Sequence, residues 1–348
     1  MTKQEEATMM ATPSTTEGKD STNHADEQAQ DAITMSIQAC LDEMDATPDL
    51  CGPLAVNPIN TVIEQAKAMP DPIPLFRQLW NVGEMACLFS DTNLGKSILA
   101  VQIAAEIAKT QPVLYLDLEL SPKQLQGRYT DPSTGETWKF PANLRRANID
   151  PDSYTADDTE QSLLTAVETY CLREGIAVAI VDNLTWLCSN AEKGEDAGAF
   201  MMALQRLKLQ HGWSILVIAH TPKRPPHTAI TMNDLAGSRR LANFFDNIFA
   251  LGAVGDPSNG QRYIKQLKYR AGEFTHGESQ VLTASIVKRG AWLGLEFGAT
   301  AAESDLLANP ADIRMTQVQE MARSGKTQRD IAQALGINQS TVSRLLNA

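Results

Sequence analysis

The chain is short of the residues that would staple it covalently or seat it in a membrane. Five cysteines in 348 residues (Cys40, Cys51, Cys87, Cys171 and Cys188) show no Cys-x-x-Cys spacing and no neighbouring His cluster. That excludes a disulfide scaffold and suits the reduced thiols of a cytoplasmic protein. No apolar run approaches membrane-spanning length and no basic-then-apolar leader opens the chain, so no membrane partner is expected. Large apolar residues are almost missing from residues 1–32, a Thr-, Glu-, Gln- and Ala-rich stretch that cannot bury enough surface to fold alone. Basic residues are outnumbered, 30 against 42 acids. The deficit is local, because residues 1–60 hold Lys3 and Lys19 against eleven acids. The acidity belongs to the tail and does not exclude nucleic acid as a partner of the rest.

What remains is an alternation of two periods. Between Pro70 and Gly298, continuously apolar runs (Met85–Phe89, Val113–Leu118, Ala177–Val181, Ser214–Ala219) alternate with segments of three-to-four spacing (Lys96–Ala108, Thr159–Glu174, Ala197–Gln210). Apolar strands separated by crossover helices predict an α/β fold with a mainly parallel sheet, buried on both faces. After Asn247, strand-like segments (Asn247–Leu251, Arg262–Tyr269, Gln280–Val287, Ala291–Phe297) separated by Gly-rich turns predict an antiparallel extension of its edge. The expected organisation is an acidic, largely disordered tail over 1–60, with a weak amphipathic stretch at Ile33–Met44. A nucleotide-binding domain over 61–298, a linker over 299–311 and a small all-α unit over 312–348 follow.

Residues Ser90-Asp91-Thr92-Asn93-Leu94-Gly95-Lys96-Ser97-Ile98 join the first apolar strand to the first helix. A strand that stops at a tight turn and re-enters as a helix gathers unpaired N–H groups and the positive helix end at one point, a seat for nucleotide phosphates. Lys96 is then expected to reach the phosphates of ATP and the Ser97 hydroxyl to hold Mg²⁺. Ser90 stands where the usual G-x-x-x-x-G-K-[ST] pattern has its first Gly, a position that favours φ > 0. Asp182 ends the strand Ile176–Val181 and is expected beside the first strand, reaching Mg²⁺ through water. Glu119, at the end of Val113–Leu118, is a candidate base for the attacking water, and Asp117, two residues earlier on the same face, competes for that role.

These segments resemble a family. The strand followed by Glu119-Leu-Ser121-x-x-Gln124-Leu-x-x-x-Arg128 resembles the catalytic-glutamate segment of RecA-type hexameric ATPases, above all DnaB-like helicases and the smaller RepA-like plasmid helicases. Downstream, Ile215-Leu-Val-Ile-Ala-His220 matches the strand whose terminal polar residue senses the γ-phosphate, with His where many members have Gln. Asp234-Leu-Ala-Gly237-Ser238-Arg239 to Asp246-Asn-Ile-Phe-Ala-Leu251 is similar to their Asp-Leu-x-x-Ser-Gly to Asp-x-Val stretch, with Gly and Ser reversed. Lys268-Tyr-Arg270-x-Gly272 resembles their Lys-x-Arg-x-Gly element. The resemblance covers about residues 70–298 and implies a RecA-like P-loop core and a homo-oligomer, a hexameric ring. In such a ring Lys268 and Arg270 reach the neighbouring subunit's nucleotide, Arg128 belongs to the nucleotide site, and single-stranded DNA passes near Lys193, Lys223 and Arg224 in the loops after the third and fourth strands.

The last 37 residues read differently. A helix from Met315 closes at Gly325, Thr327 and Asp330 supply a capping arrangement, and Ile331, Leu335, Ile337, Val342 and Leu345 form a miniature core around Ala332 and Gly336. This resembles a helix-turn-helix of the resolvase or sigma-factor type, which implies that Gln339, Ser340, Thr341, Ser343 and Arg344 face duplex DNA. The function expected is an ATP-hydrolysing motor acting on DNA. The alternative is an ATP-dependent DNA-binding regulator, or a recombination or mobilisation accessory, that unwinds nothing.

Overall fold

The computed structural model describes residues 49–150, 152–153, 160–183, 195–221, 224–225, 227–235, 239–255, 257–307 and 310–347. The acidic stretch before residue 49, with Ile33–Met44, lies outside the described residues. The chain divides into two units at Asp71 and Pro72, eleven residues beyond the expected start of the domain. In the first unit β1 (Asp49–Cys51) and β2 (Leu54–Val56) pair antiparallel around left-handed Gly52, and α1 (Ile59–Lys67) starts directly after Pro58.

The second unit opens on β3 (Pro74–Phe76) and β4 (Trp80–Asn81), joined by Arg77 and Gln78, both at positive φ, with Leu79 N–H donating to Phe76 O at 2.8 Å. A mirror-image turn of this kind matches the strand twist and lets Phe76, Leu79 and Trp80 bury together. The chain then runs β5 (Met85–Ser90), α2 (Lys96–Ile107), β6 (Val113–Asp117), α3 (Pro122–Arg128), β7 (Leu144–Ala147), α4 (Glu160–Glu174), β8 (Val178–Asp182), α5 (Glu195–His211) and β9 (Ser214–His220). After α6 (Arg239–Ala242) come β10 (Asn247–Ala253), β11 (Gln261–Tyr269), β12 (Val281–Arg289), β13 (Trp292–Ala301) and α7 (Glu303–Leu307).

Nine of these strands form one sheet in the order β13-β12-β11-β10-β5-β9-β8-β6-β7. From β10 to β7 every pairing is parallel, and from β10 to β13 every pairing is antiparallel. Strands β5, β6 and β8 are buried along their whole length, which is why they read as unbroken apolar runs. One core lies under α4 and α5 and includes Met201, Leu204, Ile215 and Phe245; the other lies under α2 and includes Leu99, Ile103, Leu88 and Ile218. The curled β12–β13 hairpin covers the outer side of α2, where Gln102 exchanges hydrogen bonds with Leu295 (3.1 Å to its O, 2.7 Å from its N). A helix buried on both sides has no polar stripe, and α2 indeed lacks one.

Two expectations are corrected. Asp182 is not beside the phosphate-loop strand: β9 lies between β5 and β8, so Ser90 pairs in register with His220. Nor are residues 299–311 a linker throughout, because among the described residues Ala299–Ala301 finish β13, Glu303–Leu307 form α7 and Pro310 opens α8 (Pro310–Arg323). The chain ends in α9 (Gln328–Leu335) and α10 (Gln339–Leu346), which with α8 enclose a small core of Val318, Ile331, Ala332 and Val342.

Candidate functional site

The loop after β5 is shaped by two left-handed residues, Asn93 (φ 64°) and Gly95 (φ 100°). At Gly95 a side chain would be strained and would also meet Ile286 Cδ1 at 2.9 Å. Ser90 makes no such demand: it is a buried strand residue whose hydroxyl donates to Asp91 O at 2.9 Å, so the departure from Gly costs this loop nothing in backbone conformation. Gly95 caps α2 without a side chain, leaving the first N–H groups of the helix to point into the loop. Lys96 folds back into it, donating from Nζ to Ser90 O (2.8 Å) and Asp91 O (3.1 Å). Burial lowers the pKa of Lys96, and the charges of Asp182, Glu119 and Asp91 oppose that shift.

Across the loop, Asp182 is almost fully buried. Its Oδ2 accepts from Tyr115 OH at 2.5 Å, while Oδ1 has no hydrogen-bond partner among the described residues. Burial pushes this carboxyl up to about 6; hydrogen bonds from Tyr115 and Ser97 pull the other way, and the charges of Glu119 and Asp117 add to the rise. A buried carboxylate oxygen with a hydroxyl beside it and no partner of its own fits a hydrated Mg²⁺, a hard cation that takes oxygen ligands. The neighbouring strand ends supply a polar row. Asn183 Nδ2 donates to Glu119 Oε2 at 3.0 Å and lies 3.1 Å from His220 Nε2. With the amide oriented this way, His220 Nε2 accepts and its proton sits on Nδ1. Burial and the charge of Lys96 lower the pKa of His220, with Glu119 opposing, so the ring is neutral at pH 7.

The two acids at the end of β6, Asp117 within it and Glu119 just beyond, have different surroundings. Asp117 is buried, pairs with Arg146 Nε at 2.8 Å and accepts from the backbone N–H of Glu119 and Leu120. Glu119 is exposed and stands with Asn183 and His220 at the mouth of the loop. Sequence reasoning had no role for Asn183, Tyr115 or Arg146; the pairings of β6 with β8 (Asp117↔Asp182) and with β7 (Tyr115↔Arg146) bring them in, and nothing in the linear pattern reveals those registers.

Other expected residues fall elsewhere. Arg224 stands beside the phosphate loop. Its side chain, 11% exposed, lies 3.9 Å from Asp91 Oδ2, and it donates to Thr228 O. The other Asp91 oxygen accepts from Thr221 at 2.6 Å. Arg224, Ala253, Pro257 and Tyr263 line a cavity of about 600 Å³ that opens beside Asp91, Thr92, Asn93 and Leu94. Lys193 and Lys223, with Gly237 and Ser238, lie outside the described residues. Arg128 closes α3, its carbonyl accepting from Lys288 Nζ.

Lys268 and Arg270 are far from this cluster. Lys268 pairs in register with Ile248, near the start of β10, whereas the phosphate loop leaves the finishing end of the parallel strands. Lys268 Nζ donates to Ala242 O, and Arg270, 53% exposed, donates to Asp246 and Asn243 O. In the last three helices Thr327 caps α9 reciprocally with Asp330, and Gly336 ends α9 at φ 62°. On α10, Gln339, Ser340 and Arg344 are exposed and Thr341 and Ser343 half-buried, while Val342 faces the small core.

A family described as AAA domain matches residues 53–226 of this chain, half its length. No curated protein matches it.

Proposed function

The chain belongs to the AAA domain family and is an ATPase of the AAA/RecA-like type; from that premise we propose that it is a DNA-acting motor, similar to the RepA/DnaB-like helicases of plasmids and mobile elements. The observation that carries the reading is the polar row at the ends of adjacent parallel strands, in which Lys96, Asp182, Glu119 and His220 converge on one loop.

On this reading Lys96 exchanges the carbonyls of Ser90 and Asp91 for the β- and γ-phosphates of ATP, and the N–H groups of residues 91–98 surround them. Ser97 and Asp182 would hold Mg²⁺, which supplies neutralising charge on the phosphate oxygens. Glu119 accepts the proton of the attacking water; its exposed carboxylate, held by Asn183, suits that role better than the occupied Asp117. His220 senses the γ-phosphate as a neutral ring and leads directly into the segment after β9. Lys268 and Arg270 sit too far along the sheet to reach their own loop, so they serve the nucleotide of a neighbouring copy in a homo-oligomeric ring. In the C-terminal unit α10 enters the major groove of duplex DNA with Gln339, Ser340, Thr341, Ser343 and Arg344 and chooses where the motor loads.

The test is the ATPase rate with and without single-stranded DNA, paired with strand displacement on a forked duplex. DNA-stimulated hydrolysis with displacement supports the motor. Stimulation without displacement leaves the regulator or recombination accessory, and hydrolysis indifferent to DNA removes both.

A further inference from the structure

At the end of the sheet away from the phosphate loop, one short stretch of backbone receives both cations of Lys268-Tyr-Arg270. Lys268 Nζ donates to Ala242 O at 2.7 Å, and Arg270 donates from Nη2 to Asn243 O at 3.0 Å and from Nη1 to Asp246 Oδ1 at 3.1 Å. The backbone N–H of Arg270 also donates to Asp246 O at 3.1 Å. Asp246 is itself held from three sides. Its Oδ2 accepts from Met85 N–H (2.9 Å) and from Lys208 Nζ (2.5 Å), and its own N–H donates to Met85 O (2.7 Å).

The exposures along this chain of contacts are graded. Asp246 is buried and Lys208 nearly so, whereas the Arg270 side chain is 53% exposed. Burial would raise the pKa of Asp246, but hydrogen bonds from Lys208 and Met85 N–H, with the charges of Lys208 and Arg270, hold it below the ordinary carboxylate range. The guanidinium is therefore held at Nη1 by a fixed anion and at Nη2 by the Asn243 carbonyl, while about half of the side chain still meets solvent. A free arginine at the surface would have to give up its rotamer freedom each time it engaged an anion, and an arginine already clamped has given up most of it beforehand.

We infer that Asp246, backed by Lys208, is a positioning residue that sets the direction in which Arg270 leaves this chain; the inference rests on the proposed action of Arg270 at a neighbouring copy's nucleotide. One support of Asp246 belongs to an element that runs to the other end of the sheet. Met85 begins β5, whose last residue enters the phosphate loop, and Lys208 is in the final turns of α5. The anchor thus connects Arg270 to the strand that carries its own chain's nucleotide loop.

The test is a double-mutant cycle on the full chain, reading kcat and KM for ATP in Asp246→Asn, Arg270→Ala and the pair. Asn keeps an acceptor for Met85 N–H while removing the charge that grips the guanidinium. Asp246→Asn is expected to lower kcat about tenfold, as loss of a charge-assisted hydrogen bond does, with KM moving less than about twofold. In the Arg270→Ala background it is expected to change kcat less than about twofold, because the residue it positions is gone. Equal losses in both backgrounds would make Asp246 merely structural and overturn the inference. So would an unchanged kcat in Asp246→Asn beside a large loss in Arg270→Ala. Full activity in Arg270→Ala would instead remove the reading on which the inference stands. If Asp246→Asn does not fold, Lys208→Met takes its place: a fall in kcat of about threefold that vanishes in the Arg270→Ala background supports the inference, and its persistence there overturns it.

Discussion

Glu303 begins α7 with no solvent exposure at all, and its removal is a sharp test of how the sheet and the segment after β9 are held together. Its Oε1 accepts from Ile230 N–H and Tyr263 OH, both at 2.9 Å, and its Oε2 pairs with Lys265 Nζ, which also donates to Ile230 O at 2.9 Å. Lys265 is 5% exposed and Tyr263 1%. Removing one partner of a buried ion pair costs about 3–5 kcal/mol, because the survivor keeps its charge without water or a counter-ion. Glu303→Gln should cost about that much, since the amide oxygen still serves Ile230 and Tyr263 while Lys265 is left unpaired. Glu303→Ala should cost more, by about 1–3 kcal/mol for the donors it strands. Adding Lys265→Met to Glu303→Gln removes the orphaned charge, so the double variant should be the more stable of the two, within about 2 kcal/mol of the parent. For a domain of this size each kcal/mol shifts the midpoint by about 2–4 °C, so Glu303→Gln should melt about 10 °C lower. Urea titrations of the four chains at one pH and salt, with thermal melts alongside, measure the ladder. A Glu303→Gln chain within about 1 kcal/mol of the parent, or a double variant less stable than that single one, would refute the claim that charge burial dominates here.

Lys96→Ala should abolish ATP binding and Glu119→Gln should keep binding while abolishing turnover, measured by nucleotide titration and steady-state hydrolysis; loss of turnover in Asp117→Asn but not in Glu119→Gln would shift the base by two residues. Arg270→Ala chains mixed with parent chains should depress activity faster than their fraction, and a strictly linear decline would mean that each chain hydrolyses alone. His220 has its pKa below the ordinary 6.5, so the fold favours the neutral ring, and stability tied to it is complete above that value and lost as pH falls beneath it; denaturant titrations from pH 7 to 5 should show a smaller acid loss in His220→Gln. Ending the chain after Leu307 should leave hydrolysis intact and remove duplex binding, with Gln339→Ala and Arg344→Ala in the full chain reproducing most of that loss at about 1–3 kcal/mol per base contact; a truncation that fails to assemble beside a double variant that binds normally would make the last helices an assembly module.

What the linear pattern revealed and what it hid follow one physical division. The inner parallel strands β5, β6, β8, β9 and β10 are legible to within a residue or two because burial on both faces leaves them apolar except at their ends, and α2 because its start coincides with Lys96. Strand β7 was missed: it is a four-residue edge strand with two arginines, and Arg146 is there because Asp117 needs a cation. The hairpins β1–β2 and β3–β4 are two or three residues per strand, too short for any period to register. In the candidate site, Lys96, Ser97, Glu119, Asp182 and His220 announced themselves through neighbours in sequence. Tyr115 and Asn183 did not, because their partners arrive across strands whose order, β5-β9-β8-β6, is a property of packing. That same order put His220 beside Ser90 where Asp182 was expected.

The separation of Lys96 and Arg270 to opposite ends of one sheet has an arithmetic consequence if the site is shared between copies. A head-to-tail row of n chains then contains n−1 complete sites and wastes a loop at one end and an arginine at the other, while a closed ring of the same n wastes neither. Turnover per chain becomes a count of closed contacts. It is nil for an isolated protomer, rises with concentration, and levels off only at closure, so the molecule reports its own state of assembly through the rate at which it consumes ATP.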